Sequence, residues 1–263
     1  MLEPARLKVR RIDVPLERWP RALDGLRIAV VSDLHTGAPH VDERKVERVV
    51  AKVNAAGPDI VALVGDYADP SGPFAQPVAP EAVAAILGGL RAPLGVFAVL
   101  GNHDWHHYGG RVPDALRKAG IEVLENDAVA VERGGEVLWV AGLADMRERR
   151  ADETVALAMV PAGQALIALT HDPDMFPRLR DRADVTLAGH THGGQVNIPL
   201  LRGQIAPTSH GYTGGEVREG RGYMYVSRGV GTAHAPVRIG VPPEVAVLTL
   251  RARSRRPPRT GAR

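Results

Sequence analysis

Five short apolar stretches of this sequence each end abruptly in a loop that carries histidine or an acid. They are LRIAVVS (26–32), PDIVALVG (58–65), LGVFAVLG (94–101), ALIALT (165–170) and DVTLAG (184–189). Apolar runs of this length between polar loops predict buried strands. Ligands of α/β folds bind outside the carboxyl ends of the strands, so we expect the five loops to meet at one edge of a sheet.

The segments between these strands have apolar residues at helical spacing, so the chain alternates between strands and helices. Helices are expected at 42–56, 80–90, 113–119, 152–160 and 174–181, and further strands at 5–13, 121–126, 128–133, 136–142, 222–228 and 243–251. Asp42 is expected to cap the first helix. The Gly-rich stretch 196–221 is expected to be a loop. No repeat or interdomain linker is visible, so we expect residues 1–251 to form a single domain.

The chain has no cysteine, so a metal would have to bind His, Asp, Glu or Asn. Six arginines stand in the C-terminal stretch TLRARSRRPPRTGAR, and without them the formal net charge would fall from +3 to −3. Residues 252–263 are expected to be a disordered basic tail. The alternative is that this tail binds an anionic membrane surface or nucleic acid. No apolar run reaches the length of a membrane span, and MLEPARLKVRR lacks an apolar signal core. We therefore expect a protein that is cytoplasmic or peripheral to a membrane, and no protein partner is indicated.

Side chains that can bind a metal crowd into the five loops after the strands. They are Asp33, His35, Asp66, Asn102, His103, Asp104, His171, Asp172, His190 and His192, and they include five of the ten histidines. One such residue would usually be a turn former or a buried polar residue, but the joint pattern favours a metal site. A mixed oxygen and nitrogen set suits Mn²⁺, Fe or Zn²⁺ better than Ca²⁺. So many ligands exceed one ion's needs, and two adjacent ions of this kind drive in-line attack of hydroxide at phosphorus.

The ordered motifs D-x-H, G-D, G-N-H-D, a later lone His and G-H-T-H resemble the calcineurin-like metallophosphoesterase family. The surroundings GHTHGGQ, HDPDMFPRL, YVSRGVGT and VPPEVAVLTL resemble its bacterial phosphodiesterase-like branch. The resemblance implies a four-layer αββα sandwich, in which two mixed β-sheets are flanked by helices and a binuclear metal site lies at the strand C-terminal ends. It implies Asp33, His35 and His192 as ligands of the first ion, Asn102, His171 and His190 as ligands of the second, and Asp66 as the bridging carboxylate.

The resemblance also implies that His103 is not a ligand and that it protonates the leaving oxygen or stabilises charge on the phosphoryl group. Asp104 is expected to orient the His103 ring, and its alternative is a turn residue in the loop. The glycines around the histidines are expected to free the backbone and to leave room for substrate.

Other polar residues near the motifs have weaker assignments. His106 and His107 are expected at the rim, and Asp172 as a cap or turn residue. Arg228 is expected to bind phosphate or to form a salt bridge, while His210 and His234 could face the cleft. Purple acid phosphatases, a related group, have a tyrosine ligand three residues after the bridging aspartate. Asp69 stands at that position here, so an iron–tyrosinate site is not expected.

The sequence thus predicts a phosphoric ester hydrolase with two divalent or trivalent ions, Mn, Fe or Zn, acting on a phosphoester, most simply as a phosphodiesterase. The alternative enzyme is a UDP-2,3-diacylglucosamine pyrophosphatase of lipid A synthesis, which the resemblance includes. A nuclease is expected to have basic residues around its cleft. Residues 1–250 are mildly acidic, which argues against a nuclease. A non-catalytic metal-binding scaffold is the alternative from another class, and the complete set of expected ligands and His103 argues against it.

Overall fold

A computed structural model describes residues 3–69, 71, 74–197, 206–233 and 236–253. It contains two six-stranded sheets, in the order β1-β12-β2-β3-β4-β5 and β10-β11-β9-β8-β7-β6. The strands are β1 (Lys8–Leu16), β2 (Leu26–Val31), β3 (Ile60–Val64), β4 (Val96–Val99), β5 (Glu122–Val123), β6 (Asp127–Arg133), β7 (Glu136–Gly142), β8 (Ala165–Leu169), β9 (Val185–Ala188), β10 (Gly215–Glu219), β11 (Gly222–Val226) and β12 (Glu244–Ala252).

Both sheets are mixed, because each has a parallel centre and at least one antiparallel pair. In the first sheet β2, β3, β4 and β5 run parallel, and β12 pairs antiparallel with β2. In the second sheet β7, β8, β9 and β11 run parallel, and β6 and β10 pair antiparallel with their neighbours. Parallel strands need crossover connections, and the helices supply them.

The helices cover the outer faces of the two sheets. They are α1 (Glu43–Ala56), α2 (Pro80–Leu87), α3 (Asn102–Tyr108), α4 (Arg111–Lys118), α5 (Glu153–Ala156) and α6 (Phe176–Leu179). Asp42 caps α1 as expected, since its side chain accepts a hydrogen bond from the backbone N–H of Lys45. The helix predicted at 152–160 is reduced to the four-residue α5. The helix predicted at 174–181 is a 3-10 turn, Pro173–Met175, that continues into α6.

Three hydrophobic clusters define the layers. One lies between the sheets and joins residues such as Ile28 and Val64 of the first sheet to Leu169 and Tyr225 of the second. A second cluster packs the first sheet against α1, α2 and α4, and a third packs the second sheet against α5 and the segment around Met175. The arrangement is the expected four-layer αββα sandwich.

Two further segments differ from the sequence expectation. Residues 215–219, predicted as loop, form β10 at the edge of the second sheet, where Glu216 and Arg218 alternate with half-buried neighbours. Asn102–Tyr108, also predicted as loop, forms the helix α3. None of the helices in the described ranges is long and apolar enough to cross a membrane. Most of the predicted tail, from residue 254 onward, and His234 lie outside the described residues.

Candidate metal centre and active site

The loops after β2 and β9 bring three expected ligands of the first ion together. Asp33, His35 and His192 offer ligand atoms that all lie within 4.8 Å of one another, and all three residues are buried. Nε2 of His35 is 3.1 Å from Nε2 of His192, and the latter is 3.6 Å from Oδ1 of Asp33. Two imidazole nitrogens facing each other at this distance match two ligands of one ion with bonds of about 2.1 Å.

A second cluster joins the loops after β3, β8 and β9. It contains Asp66, His171 and His190, again with ligand atoms within 4.8 Å of one another. Nε2 of His171 is 3.2 Å from Oδ2 of Asp66 and 3.1 Å from Nδ1 of His190. The same oxygen of Asp66 lies 3.5 Å from Nε2 of His35. Asp66 therefore stands between the two clusters, where a bridging carboxylate is required.

Asn102 occupies the first position of α3. The backbone N–H of the next residue, His103, donates to Oδ1 of Asp66 at 3.0 Å, so this end of α3 is anchored on the central carboxylate. Oδ1 of Asn102 is buried and has no hydrogen-bond partner among the described residues. A buried carbonyl oxygen without a partner is costly unless a ligand satisfies it, so this oxygen is available for a metal, and the ligand role of Asn102 stays a prediction.

Five of the seven expected ligands share an uncommon backbone conformation. Their φ lies between 47° and 69°, in the left-handed region that only a few per cent of non-Gly residues adopt: Asp33, His35, Asp66, His190 and His192. Strain of this kind costs on the order of 1–3 kcal/mol per residue and concentrates at functional sites. The strain therefore sits on the histidines and aspartates themselves.

The glycines of the motifs serve both close packing and backbone freedom. A Cβ on Gly101 would overlap Oδ1 of Asp66, and one on Gly189 would overlap the Ser32 hydroxyl. Neither of these two glycines has positive φ, so the expected backbone freedom does not apply to them. Gly193 and Gly194 after His192 have positive φ, at 64° and 74°, and so does Gly65 before Asp66, at 93°.

The outer ring nitrogens of three ligand histidines have distinct partners. Nδ1 of His35 lies 2.9 Å from Oδ2 of Asp69, and Nδ1 of His171 lies 2.8 Å from the carbonyl of Val64. Both partners accept, so they fix the tautomer that leaves Nε2 free to bind a metal. Nδ1 of His192 instead faces Nη2 of the buried Arg238 at 3.3 Å.

Burial keeps two of these imidazoles neutral. It is the main reason that the pKa of His190 falls to about 2, with the positive charge of His171 as the next cause. It also lowers the pKa of His192 well below its usual value, followed by the charges of His35 and Arg238. The neutral imidazole is the form that binds a metal ion.

His103 lies beside Asp69 at the exposed side of the clusters. Its Nδ1 is 3.2 Å from Oδ2 of Asp69, and 17% of its side chain is accessible to solvent. Burial alone would lower the pKa of His103, but the hydrogen bond to Asp69 and the negative charge of Asp66 raise it to about 9. A protonated imidazole at the mouth of the site can donate a proton or stabilise negative charge.

The carboxylate of Asp104 binds backbone N–H groups. Its two oxygens accept backbone N–H groups of Asp66 at 2.8 Å, Tyr67 at 2.9 Å and Gly101 at 2.9 Å. The side chain is fully buried because residue 104 is the third position of α3 and points back over the helix start. Asp104 thus holds the loop that carries Asp66, and Asp69 is the carboxylate beside His103.

Asp69 is the site residue whose role the sequence reasoning missed. Its carboxylate also accepts the backbone N–H of Ser71 at 2.8 Å, and the hydroxyl of Ser71 bonds the same oxygen. The signal in the sequence was its position three residues after Asp66, where purple acid phosphatases have a tyrosine ligand. That position indicates proximity to the metals, but the sequence does not show that two histidines converge on it.

The residues with weaker assignments lie around the two metal clusters. Asp172 is the expected cap, accepting the N–H of Asp174, and its Oδ2 lies 3.9 Å from Nε2 of His190. Arg228 pairs with Glu244 at 3.7 Å. His107 is at the rim with Nε2 3.6 Å from Asp69, and His210 pairs with Asp174 at 3.2 Å.

The model of the calcineurin-like phosphoesterases matches residues 26–194, more than half of the chain and all of the expected ligands. The chain belongs to the calcineurin-like phosphoesterase family. A metallophosphoesterase of Aquifex aeolicus, described as uncharacterized, is 33% identical over 96% of this chain and 95% of its own length. The metallophosphoesterase YkuE of Bacillus subtilis, also described as uncharacterized, is 30% identical over 95% of this chain and 88% of its own length. The chain is therefore a metallophosphoesterase, and this family of calcineurin-like enzymes typically depends on two metal ions.

Two further similarities extend the family context. The UDP-2,3-diacylglucosamine pyrophosphatase LpxG of Chlamydia trachomatis is 27% identical over 94% of this chain and 90% of its own length. The NAD nucleotidase NadN of Haemophilus influenzae matches in structure with a TM-score of 0.53 and 16% identity, over 78% of this chain and 45% of that one. This second likeness shows the calcineurin-like fold alone, and the chain spans about half of that structure.

Proposed function

We propose that this metallophosphoesterase is a phosphodiesterase that uses two metal ions. The observation that supports it is the position of Asp66, whose Oδ2 lies within 3.5 Å of a histidine in each of the two clusters. One carboxylate shared between two nitrogen-rich clusters suits a pair of adjacent ions, which is the arrangement that hydrolyses phosphate esters.

The ligand assignments follow the two clusters. Asp33, His35 and His192 would hold the first ion, and Asn102, His171 and His190 the second, with Asp66 between them. When bound, the two ions would activate water as the nucleophile and neutralise charge on the phosphate oxygens. Manganese, iron and zinc suit the mixed oxygen and nitrogen ligands.

His103 is the residue placed to assist the leaving group. It lies outside both clusters, it is partly open to solvent, and Asp69 favours its protonated form. We assign it the transfer of a proton to the leaving oxygen, with Asp69 orienting its ring. Asp104 acts more indirectly, since it fixes the backbone of the loop that carries Asp66.

The test is hydrolysis of bis-p-nitrophenyl phosphate by metal-stripped protein after Mn²⁺, Zn²⁺ or Fe²⁺ is added back, with p-nitrophenyl phosphate alongside. We expect metal-dependent cleavage that prefers the diester. In His103→Ala, cleavage of diphenyl phosphate, whose phenol leaves less readily than p-nitrophenol, should fall by about 10²–10⁴-fold, the usual contribution of acid–base catalysis. His106→Ala is the matched control, since this neighbouring histidine lies at the exposed end of α3. Protein that binds no metal, or a His103→Ala variant with full activity on diphenyl phosphate, would contradict the proposal.

A second candidate keeps the chemistry and changes the substrate to UDP-2,3-diacylglucosamine. The likeness to LpxG over nine-tenths of that enzyme's length favours it. Release of UMP from UDP-2,3-diacylglucosamine, measured beside bis-p-nitrophenyl phosphate cleavage, distinguishes the two candidates. Binding of the C-terminal arginines to an anionic membrane stays a prediction, which cosedimentation with phosphatidylglycerol vesicles would test.

A further inference from the structure

Arg238 is a buried cation that lies directly behind a ligand of the first cluster, with only 3% of the residue exposed. Burial lowers the pKa of Arg238 to about 10, and the charge of Asp33 is the largest influence in the opposite direction, so the guanidinium is still charged at neutral pH. A buried cation is costly unless an acid pairs with it. Within the described part of the chain Arg238 contacts backbone carbonyls and the His192 ring, and no carboxylate forms an ion pair with it.

The guanidinium is held in place by two loops beside the first cluster. Its Nε donates to the carbonyl of Gly231 at 2.8 Å, and Nη2 donates to the same oxygen. Its Nη1 donates to the carbonyl of Val241 at 3.2 Å. The N–H of Gly231 in turn donates to the carbonyl of Asp33 at 2.6 Å. Arg238 is therefore fixed relative to the loop that carries Asp33 and His35.

Nη2 of Arg238 also faces the ring of His192. It lies 3.3 Å from Nδ1, whereas Nε2 of the same ring points into the first cluster, 3.1 Å from Nε2 of His35. The outer nitrogens of His35 and His171 face oxygen acceptors instead. An acceptor at this position makes an imidazole a stronger metal ligand. A cation at the same position has the opposite effect on His192.

The position of the proton on His192 explains why Arg238 opposes a metal ion. A neutral imidazole has one proton, on either of its two ring nitrogens. Without an ion, Arg238 donates to Nδ1 and so favours the form with the proton on Nε2, which cannot bind a metal. Binding through Nε2 requires the proton on Nδ1, where it faces an N–H group of Arg238. The hydrogen bond is then lost and two positive charges come closer together, and both effects lower the affinity of the first cluster.

We propose that Arg238 weakens the bond between His192 and the first ion, and that it thereby lowers the preference of this site for Zn²⁺ over Mn²⁺. Imidazole suits Zn²⁺, whereas Mn²⁺ prefers oxygen ligands, so a weakened imidazole costs Zn²⁺ more affinity. Arg238 is in this role a positioning residue that acts through His192. The inference rests on the proposed function for the ligands of the first cluster.

Titration of metal-stripped protein with Zn²⁺ or Mn²⁺, in competition with a chelating dye, tests the proposal without any substrate. Arg238→Met should lower the dissociation constant of one of the two ions by about tenfold for Zn²⁺ and by about threefold or less for Mn²⁺, because changes beside a ligand histidine typically alter metal affinity by about 10–100-fold. Arg238→Gln keeps a donor for the Gly231 carbonyl and should shift the constants in the same direction, so it decides the question if Arg238→Met does not fold. Arg238→Lys keeps the charge and should stay within about threefold of wild type.

Arg228→Met is the matched control, since Arg228 packs against the turn at Gly193 but pairs with Glu244, and its loss should leave both dissociation constants unchanged. A purely structural role of Arg238 would weaken metal binding in the Met, Gln and Lys variants alike, and that result overturns the proposal. So does an unchanged affinity in the two neutral variants, or an equal shift for Zn²⁺ and Mn²⁺. If wild-type protein binds two ions but cleaves no diester, the proposed function fails, while the same dissociation constants still decide the role of Arg238.

Discussion

Replacing Asp69 by Asn tests how the protein keeps His103 protonated. Oδ2 of Asp69 lies 3.2 Å from Nδ1 of His103, and the pKa of His103 is raised to about 9. A hydrogen bond between charged groups contributes about 1.5–3 kcal/mol, and about 1.4 kcal/mol corresponds to one pKa unit. The variant should therefore lower the pKa of His103 by about one to two units, to about 7–8.

The sign of the effect follows from the protonation state that catalysis needs. A group that donates a proton is active below its pKa, so the alkaline limb of the pH–rate profile should move to lower pH. At pH 8.5 the protonated fraction falls by about 3- to 25-fold, whereas at pH 6 both enzymes are almost fully protonated. The loss should be larger for diphenyl phosphate than for bis-p-nitrophenyl phosphate, because phenol is the poorer leaving group.

The assay is kcat/KM from pH 5.5 to 10 on both esters, with bound metal measured in the same samples. Metal content matters because Asp69 also holds His35 at 2.9 Å. Ser71→Ala is the control, since it removes a hydroxyl from the other oxygen of Asp69 and should leave the alkaline limb in place. An alkaline limb that does not move in Asp69→Asn, in protein that still binds two ions, would refute the reasoning.

Three further predictions concern packing, charge and capping. Gly101→Ala should abolish metal binding at both clusters, measured by metal analysis, because its Cβ would overlap Oδ1 of Asp66; a variant that binds two ions would contradict this. Burial, followed by the charge of Arg238, lowers the pKa of Lys45 to about 8. Between about pH 8 and 10.5 the unfolded state then binds more protons than the folded state, so the free energy of unfolding should rise with pH there. The rise should be up to about 3 kcal/mol relative to Lys45→Met. The prediction is contradicted if urea denaturation gives the same change in the free energy of unfolding with pH for both proteins across that window. Asp42→Ala should cost about 1 kcal/mol in urea denaturation through loss of the α1 cap, with Asp114→Ala, an exposed change on α4, as control.

The sequence by itself determined the fold class and which loops carry the chemistry. Apolar runs such as 60–64 and 185–188 are buried on both faces, and this composition is specific enough to predict central parallel strands. Because the carboxyl ends of such strands meet at one edge, the residues after them could be grouped without coordinates. The short edge strand β10 was missed because a polar, Gly-rich segment carries little strand signal and is held by its pairing with β11.

Only the tertiary structure decided which carboxylate contacts the His103 ring and which binds backbone N–H groups. Asp104 is next to His103 in sequence, yet helical geometry turns it back onto the N–H groups of Gly101 and the 66–67 loop. Asp69 is 34 residues from His103 and meets it because β3 and β4 pair in parallel and end side by side. Sequence patterns report local burial and turns, whereas contacts between loops depend on strand order, so the partners of His103 and His35 could be found only in the folded chain.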